Sequence, residues 1–354
     1  MRNLFDYLKF YKDVSFDTMA FNDMDSLILS LLSYVEFEGI APSGKREFIY
    51  LEEACHKFLL KYGEKDFKKK NWLFPNSYRL VTVLKTSKRY YHSKLYYFVS
   101  NIEDDGQFGA MTIRLPNKVT FVSFEGTDST VSGWKEDFEL IYQFPIYSQE
   151  KAVAYFNQTL TIFDRTIYVG GHSKGGNLAM YAYMYGKKNY KKQVRQVYNF
   201  DGPGFLDDVI SSSLYQDLRK KLTMVVPKES VIGMILGHKE YLVVNSSAYA
   251  VLQHDAFTWE CFGGNFVMTT LSRKSKRLEE NLREYLNSMT LEEKKGFVET
   301  VFAIFSKSNI TNIMQLKDLK ITTLLMLMKE LTSIPANTKR NLVALLRMLI
   351  TGMN

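Results

Sequence analysis

The chain has 354 residues, of which 46% are hydrophobic and 14% aromatic, enough for one large core or for a main domain with an appendage. Its two cysteines and five scattered histidines exclude a disulfide framework and form no metal-ligand cluster, so we expect neither a metal nor a cofactor. The formal charge is +8, but the basic residues are interspersed with acidic ones and accompany no nucleic-acid-binding module. We therefore do not expect a nucleic acid partner, whereas weak association with a membrane surface stays open.

The first predicted element is a helix whose cap lies in the segment 22–25, Asn-Asp-Met-Asp. Apolar residues follow it at helical spacing, namely Leu27, Ile28, Leu31, Leu32 and Val35. Between residues 95 and 124 the pattern changes to strands. We predict strands over 96–99 and 109–113, joined by a hairpin turn at 103–106, and a third over 119–124. Antiparallel pairing is therefore expected to open a sheet.

Strands and helices alternate in the next part of the chain. The predicted strands cover 166–169, 196–200, 222–226 and 241–245. The predicted helices cover 134–141, 149–161, 176–185 and 212–222. Alternation of this kind indicates an α/β fold whose sheet is mostly parallel and has helices on both faces.

Beyond about Gly264 the sequence carries no strand signal. Helix-period apolar residues recur near 278–286, 296–305, 321–331 and 338–350, and Thr290 to Glu293 is a capping box. We therefore divide the chain into an α/β domain over residues 1–265, which includes an N-terminal helical segment, and a helical C-terminal extension over 266–354. No segment reaches the roughly 18 uncharged apolar residues of a membrane span, and residues 1–7 lack the apolar stretch of a signal peptide. We expect a cytoplasmic protein.

The most informative motif is Gly-His-Ser-Lys-Gly at residues 171–175. It follows a β-branched and aromatic run at 167–169 and precedes a helix-forming segment at 177–182, which is the context of a nucleophile elbow. Such a turn strains the backbone of its serine, and the surrounding glycines leave the space that it needs. We predict that Ser173 is a nucleophile at the carboxyl end of its strand.

A nucleophilic serine needs a histidine as base, and in elbow-type folds this residue follows the serine in the chain. Only His238 and His254 lie downstream of Ser173. His254 lies past the last predicted strand, where a loop can fold back over the sheet edge, whereas His238 lies just before a strand. We favour His254 and keep His238 as the alternative.

The histidine in turn needs an orienting acid. Asp201 comes directly after a predicted strand and is followed by a sharp Gly-Pro-Gly turn at 202–204. Catalytic groups collect at this carboxyl edge in parallel sheets. Glu229 follows the next strand and remains the alternative acid.

A serine hydrolase also needs hydrogen-bond donors for the developing oxyanion. One is expected from the backbone N–H of Lys174, the residue after the nucleophile. The second is expected from the turn at 124–128, where Thr127 can offer its amide, its hydroxyl or both.

Three linked motifs carry a resemblance to a known family. They are Phe-Glu-Gly-Thr at 124–127, Trp-Lys-Glu-Asp at 134–137 and the elbow at 171–179, and together they resemble the class 3 lipase pattern, with Glu125 in place of the usual arginine. The segments 201–205 and 253–255 further resemble the bacterial Mbeg1-like family.

The resemblance covers roughly residues 20–265 and implies an α/β-hydrolase-like fold. It implies that Thr127 is an oxyanion donor, that Asp137 orients it, and that Ser173, Asp201 and His254 form a catalytic triad.

The leading functional hypothesis is therefore a serine hydrolase, similar to lipases and esterases, that cleaves an ester or thioester of a small or medium acyl group through an acyl-enzyme on Ser173. A non-catalytic module that binds a lipid, peptide or protein partner, with the helical extension as its docking surface, is the alternative. Acyl transfer to an acceptor other than water uses the same residues. The oligomeric state is left open.

Overall fold

The central element of the molecule is one twisted sheet. The computed structural model describes residues 3–70, 75–103, 106–127 and 131–307. Within these ranges eight strands form the sheet in the order in which they occur in the chain. They are β1 Phe48–Tyr50, β2 Lys94–Glu103, β3 Gly106–Arg114, β4 Val119–Phe124, β5 Thr166–His172, β6 Val194–Phe200, β7 Leu222–Pro227 and β8 Leu242–Val244.

The direction of the strands changes at β4. Strands β1 to β4 pair antiparallel, and β4 to β8 pair parallel. This arrangement confirms the predicted α/β class, the antiparallel opening and the mostly parallel remainder. The sequence did not predict β1, because a strand of three residues is too short for its alternation to stand out.

Helices cover both faces of the sheet. In the described residues the α-helices are α1 Leu4–Tyr11, α2 Asp23–Leu31, α3 Leu51–Lys61, α4 Glu64–Lys70, α5 Ser77–Leu84, α6 Val131–Glu139, α7 Tyr147–Thr159, α8 Lys174–Tyr185, α9 Lys188–Lys191, α10 Asp207–Ser211, α11 Ser213–Arg219, α12 Arg273–Ser288 and α13 Leu291–Lys307. None of these helices is long and apolar enough to span a lipid bilayer.

Alternation along the strands divides the interior into two apolar cores. In β4, Phe121 belongs to the core beneath the N-terminal helices, whereas Val122 and Phe124 belong to the core beneath α7 and α8. Side chains of successive strand residues point to opposite faces, which is why one strand serves both cores. The predicted layer of helices on each face is therefore confirmed.

A buried ion pair fixes the N-terminal helices. The cap of α2 lies in the predicted segment 22–25: Asn22 is the N-cap, and Asp25 completes its capping box. The carboxylate of Asp25 also accepts two hydrogen bonds from Arg89, at 2.8 and 2.6 Å, with both side chains fully buried. Arg89 donates further bonds to backbone carbonyls of the preceding loop, among them that of Met19 at 2.9 Å. A charge-assisted, bidentate pair of this kind holds the segment before α2 in one geometry.

The C-terminal extension begins with helices α12 and α13, which confirms the helices predicted near 278–286 and 296–305. Thr290 and Glu293 form the predicted capping box of α13. The helices predicted over 321–331 and 338–350 lie outside the described residues, and the domain boundary at residue 265 stays a prediction. The expectation of no strand beyond Gly264 was wrong: Asn265–Phe266 pairs with Cys261–Phe262. Strands of two residues are too short for periodicity to detect.

Candidate active site

The elbow motif forms the turn between β5 and α8. Ser173 has φ 57° and ψ −135°, a strained conformation for a residue with a side chain, and it is 8% exposed. The turn leaves no room for side chains around it. A Cβ on Gly171 would lie 2.3 Å from the carbonyl carbon of Gly175, and one on Gly175 would lie 2.2 Å from the carbonyl oxygen of Phe124. The glycines of the motif therefore allow the elbow to pack against the end of β4.

Asp201 leaves the sheet beside Ser173. The residues that precede them, Phe200 and His172, are register partners in the parallel strands β6 and β5. The Asp201 carboxylate is fully buried, and its Oδ2 lies 2.7 Å from His254 Nδ1. Burial raises the pKa of Asp201, whereas the hydrogen bond from His254 opposes the rise. Because an ionised carboxylate only accepts, His254 carries its hydrogen on Nδ1, which leaves Nε2 as the basic nitrogen.

One side-chain donor and one backbone donor hold the other Asp201 oxygen. Oδ1 accepts from Ser230 Oγ at 2.5 Å and from the Gly233 backbone N–H at 3.2 Å. The carboxylate is thus fixed from both sides, and its orientation toward the His254 ring is defined. The sequence did not indicate Ser230, since a serine in a loop carries no distinguishing local pattern.

Glu229, the alternative acid, binds backbone and amide groups. Its Oε2 accepts from the Ala250 backbone N–H at 2.8 Å and from Gln253 Nε2 at 3.2 Å, while Gln253 Oε1 accepts from the Glu229 N–H at 2.8 Å. These bonds hold the 3₁₀ turn Ala250–His254 that carries the imidazole. His238, the alternative base, packs against Gly204.

The turn after β4 lies directly against the elbow. A Cβ on Gly126 would be 3.1 Å from the Cβ of Ser173. Thr127 Oγ1 donates to Asp137 Oδ2 at 2.5 Å. A hydroxyl has one hydrogen, so the Thr127 side chain has none left for an oxyanion and its backbone amide is the remaining donor.

Lys174 contributes a buried positive charge behind this turn. Its Nζ lies 2.8 Å from Glu136 Oε2 and 3.8 Å from Asp137 Oδ1, and the Lys174 and Glu136 side chains are each 1% exposed. Glu136 Oε1 also accepts from the Ser148 backbone N–H at 2.7 Å. The pair therefore joins α6, which carries Asp137, to the elbow and to the start of α7. Glu136 was not singled out from the sequence, although it lies within the motif at 134–137.

A second buried link runs beneath the site through Tyr34 and His172. His172 Nε2 lies 2.8 Å from the His254 backbone oxygen, and its Nδ1 lies 2.9 Å from Tyr34 Oη. Burial lowers the pKa of His172 well below its usual value, so the ring is neutral. Since a carbonyl only accepts, Nε2 carries the hydrogen and Nδ1 accepts from Tyr34. The backbone of Gly126 in turn hydrogen-bonds to Tyr34.

The family of the chain follows from comparison with known proteins. The model of the Mbeg1-like family matches residues 84–303, which is more than half of the chain. The chain belongs to the Mbeg1-like family. Among solved structures, a crystal structure of M37 lipase is similar at 13% sequence identity, with a TM-score of 0.36, over 59% of this chain and 67% of that chain. Among curated proteins there is no match.

The Mbeg1-like match contains the elbow, the turn with Thr127, and the segments with Asp201 and His254. It begins after Tyr34, so this tyrosine comes from the part of the chain that precedes the matched residues. Within the described ranges, no group of three or more His, Cys, Asp or Glu side chains is arranged to hold a metal ion. An apolar cavity of about 90 Å³ borders Ser173.

Proposed function

We propose that the protein is a serine hydrolase, similar to esterases and lipases, that cleaves a carboxylic ester or thioester through an acyl-enzyme on Ser173. The observation that carries the proposal is the 2.7 Å contact between the buried Asp201 carboxylate and His254 Nδ1, beside a serine in a strained elbow. A strained serine backbone and a buried carboxylate both destabilise the folded state. Such features cluster at functional sites, so their presence together supports a catalytic role.

In the proposed reaction, His254 Nε2 takes the hydroxyl proton of Ser173 as its Oγ attacks the substrate carbonyl. The backbone N–H groups of Lys174 and Thr127 donate to the oxyanion of the tetrahedral intermediate. When the intermediate collapses, the imidazolium of His254 protonates the leaving alcohol or thiol. Water, as it gives a proton to His254 Nε2, then attacks the carbonyl of the acyl-enzyme. Collapse of this second intermediate releases the acid and returns the proton to Ser173. Asp201 keeps the hydrogen on Nδ1 and stabilises the imidazolium throughout.

The roles of Asp137 and Glu229 in this proposal are indirect. Asp137 accepts the Thr127 hydroxyl hydrogen and so fixes the direction of the Thr127 amide. Glu229 holds the turn that carries His254 through its bonds to Ala250 and Gln253. Neither carboxylate takes part in proton transfer, and both act as positioning residues.

The cellular setting stays a prediction. Cys55 and Cys261 are buried and form no disulfide, which agrees with a reducing compartment such as the cytoplasm. We propose a small or medium acyl ester or thioester as the substrate and no nucleic acid partner.

A serine-directed fluorophosphonate probe tests the proposal. We expect covalent labelling of the wild-type protein, none of Ser173→Ala, and full labelling of Ser211→Ala, a control at an exposed serine. p-Nitrophenyl esters and acyl thioesters then test turnover by the same three proteins. A folded wild-type protein that is neither labelled nor active on either substrate class contradicts the hydrolase and favours the binding module. Undiminished labelling of Ser173→Ala contradicts the assignment of the nucleophile.

A further inference from the structure

The helix α12 forms one wall of the cavity beside Ser173. Leu278, Leu282, Tyr285 and Leu286 all line this cavity. Their spacing of four, three and one residues places them on one face of the helix. Residues between them, such as Glu280 and Glu284, are exposed to solvent. The apolar stripe of this highly charged helix is therefore turned toward the site and not toward water.

Polar contacts at the outer side of α12 hold it against the rest of the protein. Tyr241 Oη donates to Glu279 Oε2 at 3.1 Å, and Arg283 Nη2 lies 3.2 Å from Asp207 Oδ1. The following helix α13 contributes Phe297 to the cavity wall, and its Phe302 ring packs edge-on against Phe138 of α6, with ring centroids 5.6 Å apart. Helices α12 and α13 thus line the cavity beside Ser173.

The size of the cavity limits what it can hold. The cavity volume is about 90 Å³. A cavity of about 150 Å³ accommodates benzene, and a water molecule occupies about 30 Å³ in the liquid. The space beside Ser173 is therefore smaller than a cavity that accommodates benzene. Its lining is almost entirely apolar, which favours a short hydrocarbon group.

We propose that α12 makes the enzyme selective for short acyl groups, from acetyl to about butyryl, and against the long acyl chains of storage or membrane lipids. The inference rests on the proposed hydrolase function and deepens it. Leu282, midway along the stripe, is the residue that we expect to limit chain length most strongly. In this reading the C-terminal helices are part of the substrate site.

A chain-length series tests the proposal. We would measure kcat/KM for p-nitrophenyl acetate, butyrate, hexanoate and octanoate with the full-length wild type and with Leu282→Ala. The wild type is expected to prefer acetate or butyrate and to hydrolyse octanoate at least about tenfold less efficiently. Leu282→Ala enlarges the cavity and is expected to raise the ratio of octanoate to butyrate about tenfold, because each buried methylene is worth about a factor of four.

Two further variants provide controls. Glu284→Ala, on the exposed face of α12, is expected to leave the chain-length profile unchanged. Leu282→Phe narrows the cavity and is expected to lower kcat/KM for butyrate relative to that for acetate. This variant keeps the proposal testable if the alanine variant does not fold.

Fluorophosphonate labelling separates failure of this inference from failure of the proposed function. If Ser173 is labelled but the wild type prefers octanoate, the inference is wrong and the proposed hydrolase function is retained. The same holds if Leu282→Ala changes kcat/KM for all four esters by the same factor. If Ser173 is not labelled and no ester is hydrolysed, both proposals fall.

Discussion

His172 and His254 are joined by a hydrogen bond between the Nε2–H of His172 and the backbone carbonyl of His254, at 2.8 Å. His172 directly precedes Ser173 in the elbow, and the ring of His254 contacts the Asp201 carboxylate. The bond therefore joins the elbow to the loop that carries His254. Tyr34 lies on the other side of the His172 ring and also meets the turn that carries Thr127. The three loops of the site therefore share one buried link.

Tyr34→Phe removes the hydroxyl from this link. We expect kcat to fall about tenfold with KM little changed, because the substrate still binds while the His254 loop and the Thr127 turn lose a common anchor. Steady-state kinetics on a p-nitrophenyl ester provides the measurement. Tyr198→Phe, which removes a hydroxyl bonded to Asp23 at 2.9 Å, is the matched control and should affect stability alone. An equal fall in kcat for both variants would show that Tyr34 has only a general structural role.

Asp201 and Glu229 are expected to differ sharply on replacement. Asp201→Asn should lower kcat by up to ~10⁴-fold, because an amide can hold the histidine in the wrong tautomer. Glu229→Gln keeps an oxygen for the Ala250 N–H, so kcat should fall less than about tenfold. Circular dichroism of both variants serves as the folding control. The reverse ranking of the two folded variants would make Glu229 the acid.

Thr127 tests the positioning of the oxyanion turn. Thr127→Val keeps the shape of the side chain but loses the bond to Asp137 that positions the Thr127 amide, and we expect kcat to fall by up to about 10²-fold at nearly constant KM. Thr127→Ser retains the hydroxyl and should stay within about threefold of the wild type. Equal activity of the valine and serine variants would remove Asp137 from the proposed arrangement.

The Lys174–Glu136 pair makes a prediction about stability. Lys174→Met leaves Glu136 buried without its partner and should lower the free energy of unfolding by about 3–5 kcal/mol. The double variant Lys174→Met/Glu136→Gln removes both charges and should recover most of that loss. Urea denaturation followed by fluorescence measures both. A double variant as unstable as the single one would indicate that packing, and not charge, sets the cost.

His238 makes a prediction about acid stability. Burial lowers its pKa from 6.5 to about 4, and the backbone of Gly233 opposes the shift. His238 therefore binds a proton at higher pH in the unfolded chain than in the folded chain. Its contribution to the free energy of unfolding is complete above pH 6.5 and is lost as the pH falls toward 4. At pH 5 the loss from this residue is about 2 kcal/mol.

The variant His238→Phe should therefore lose less stability than the wild type between pH 7 and pH 5, as measured by urea denaturation. His56→Gln changes an exposed histidine and should follow the wild-type curve. Parallel curves for His238→Phe and the wild type would assign the acid sensitivity to other groups, such as His172, whose pKa is lowered in the same direction.

Local signals in the sequence were enough to predict the architecture. The strand at 119–124 matches β4 at both ends, and the cap of α2 lies in the predicted segment 22–25, because strand propensity and capping depend on residues close together in the chain. The strand, glycine turn and helix around Ser173 were recognised for the same reason. Short strands such as β1 were missed, because three residues carry too little pattern.

Contacts across the site were decided only by the tertiary structure. From the sequence Asp201 and Glu229 were both acceptable partners for a histidine, since each follows a parallel strand. Their hydrogen bonds differ because Ser230 and Gly233 hold one carboxylate toward the imidazole, while Ala250 and Gln253 bind the other. Tyr34 lies 138 residues before His172 in the chain, and no local pattern connects them. Residue order encodes the elements, but the meeting of distant side chains depends on how those elements pack, which requires the whole fold.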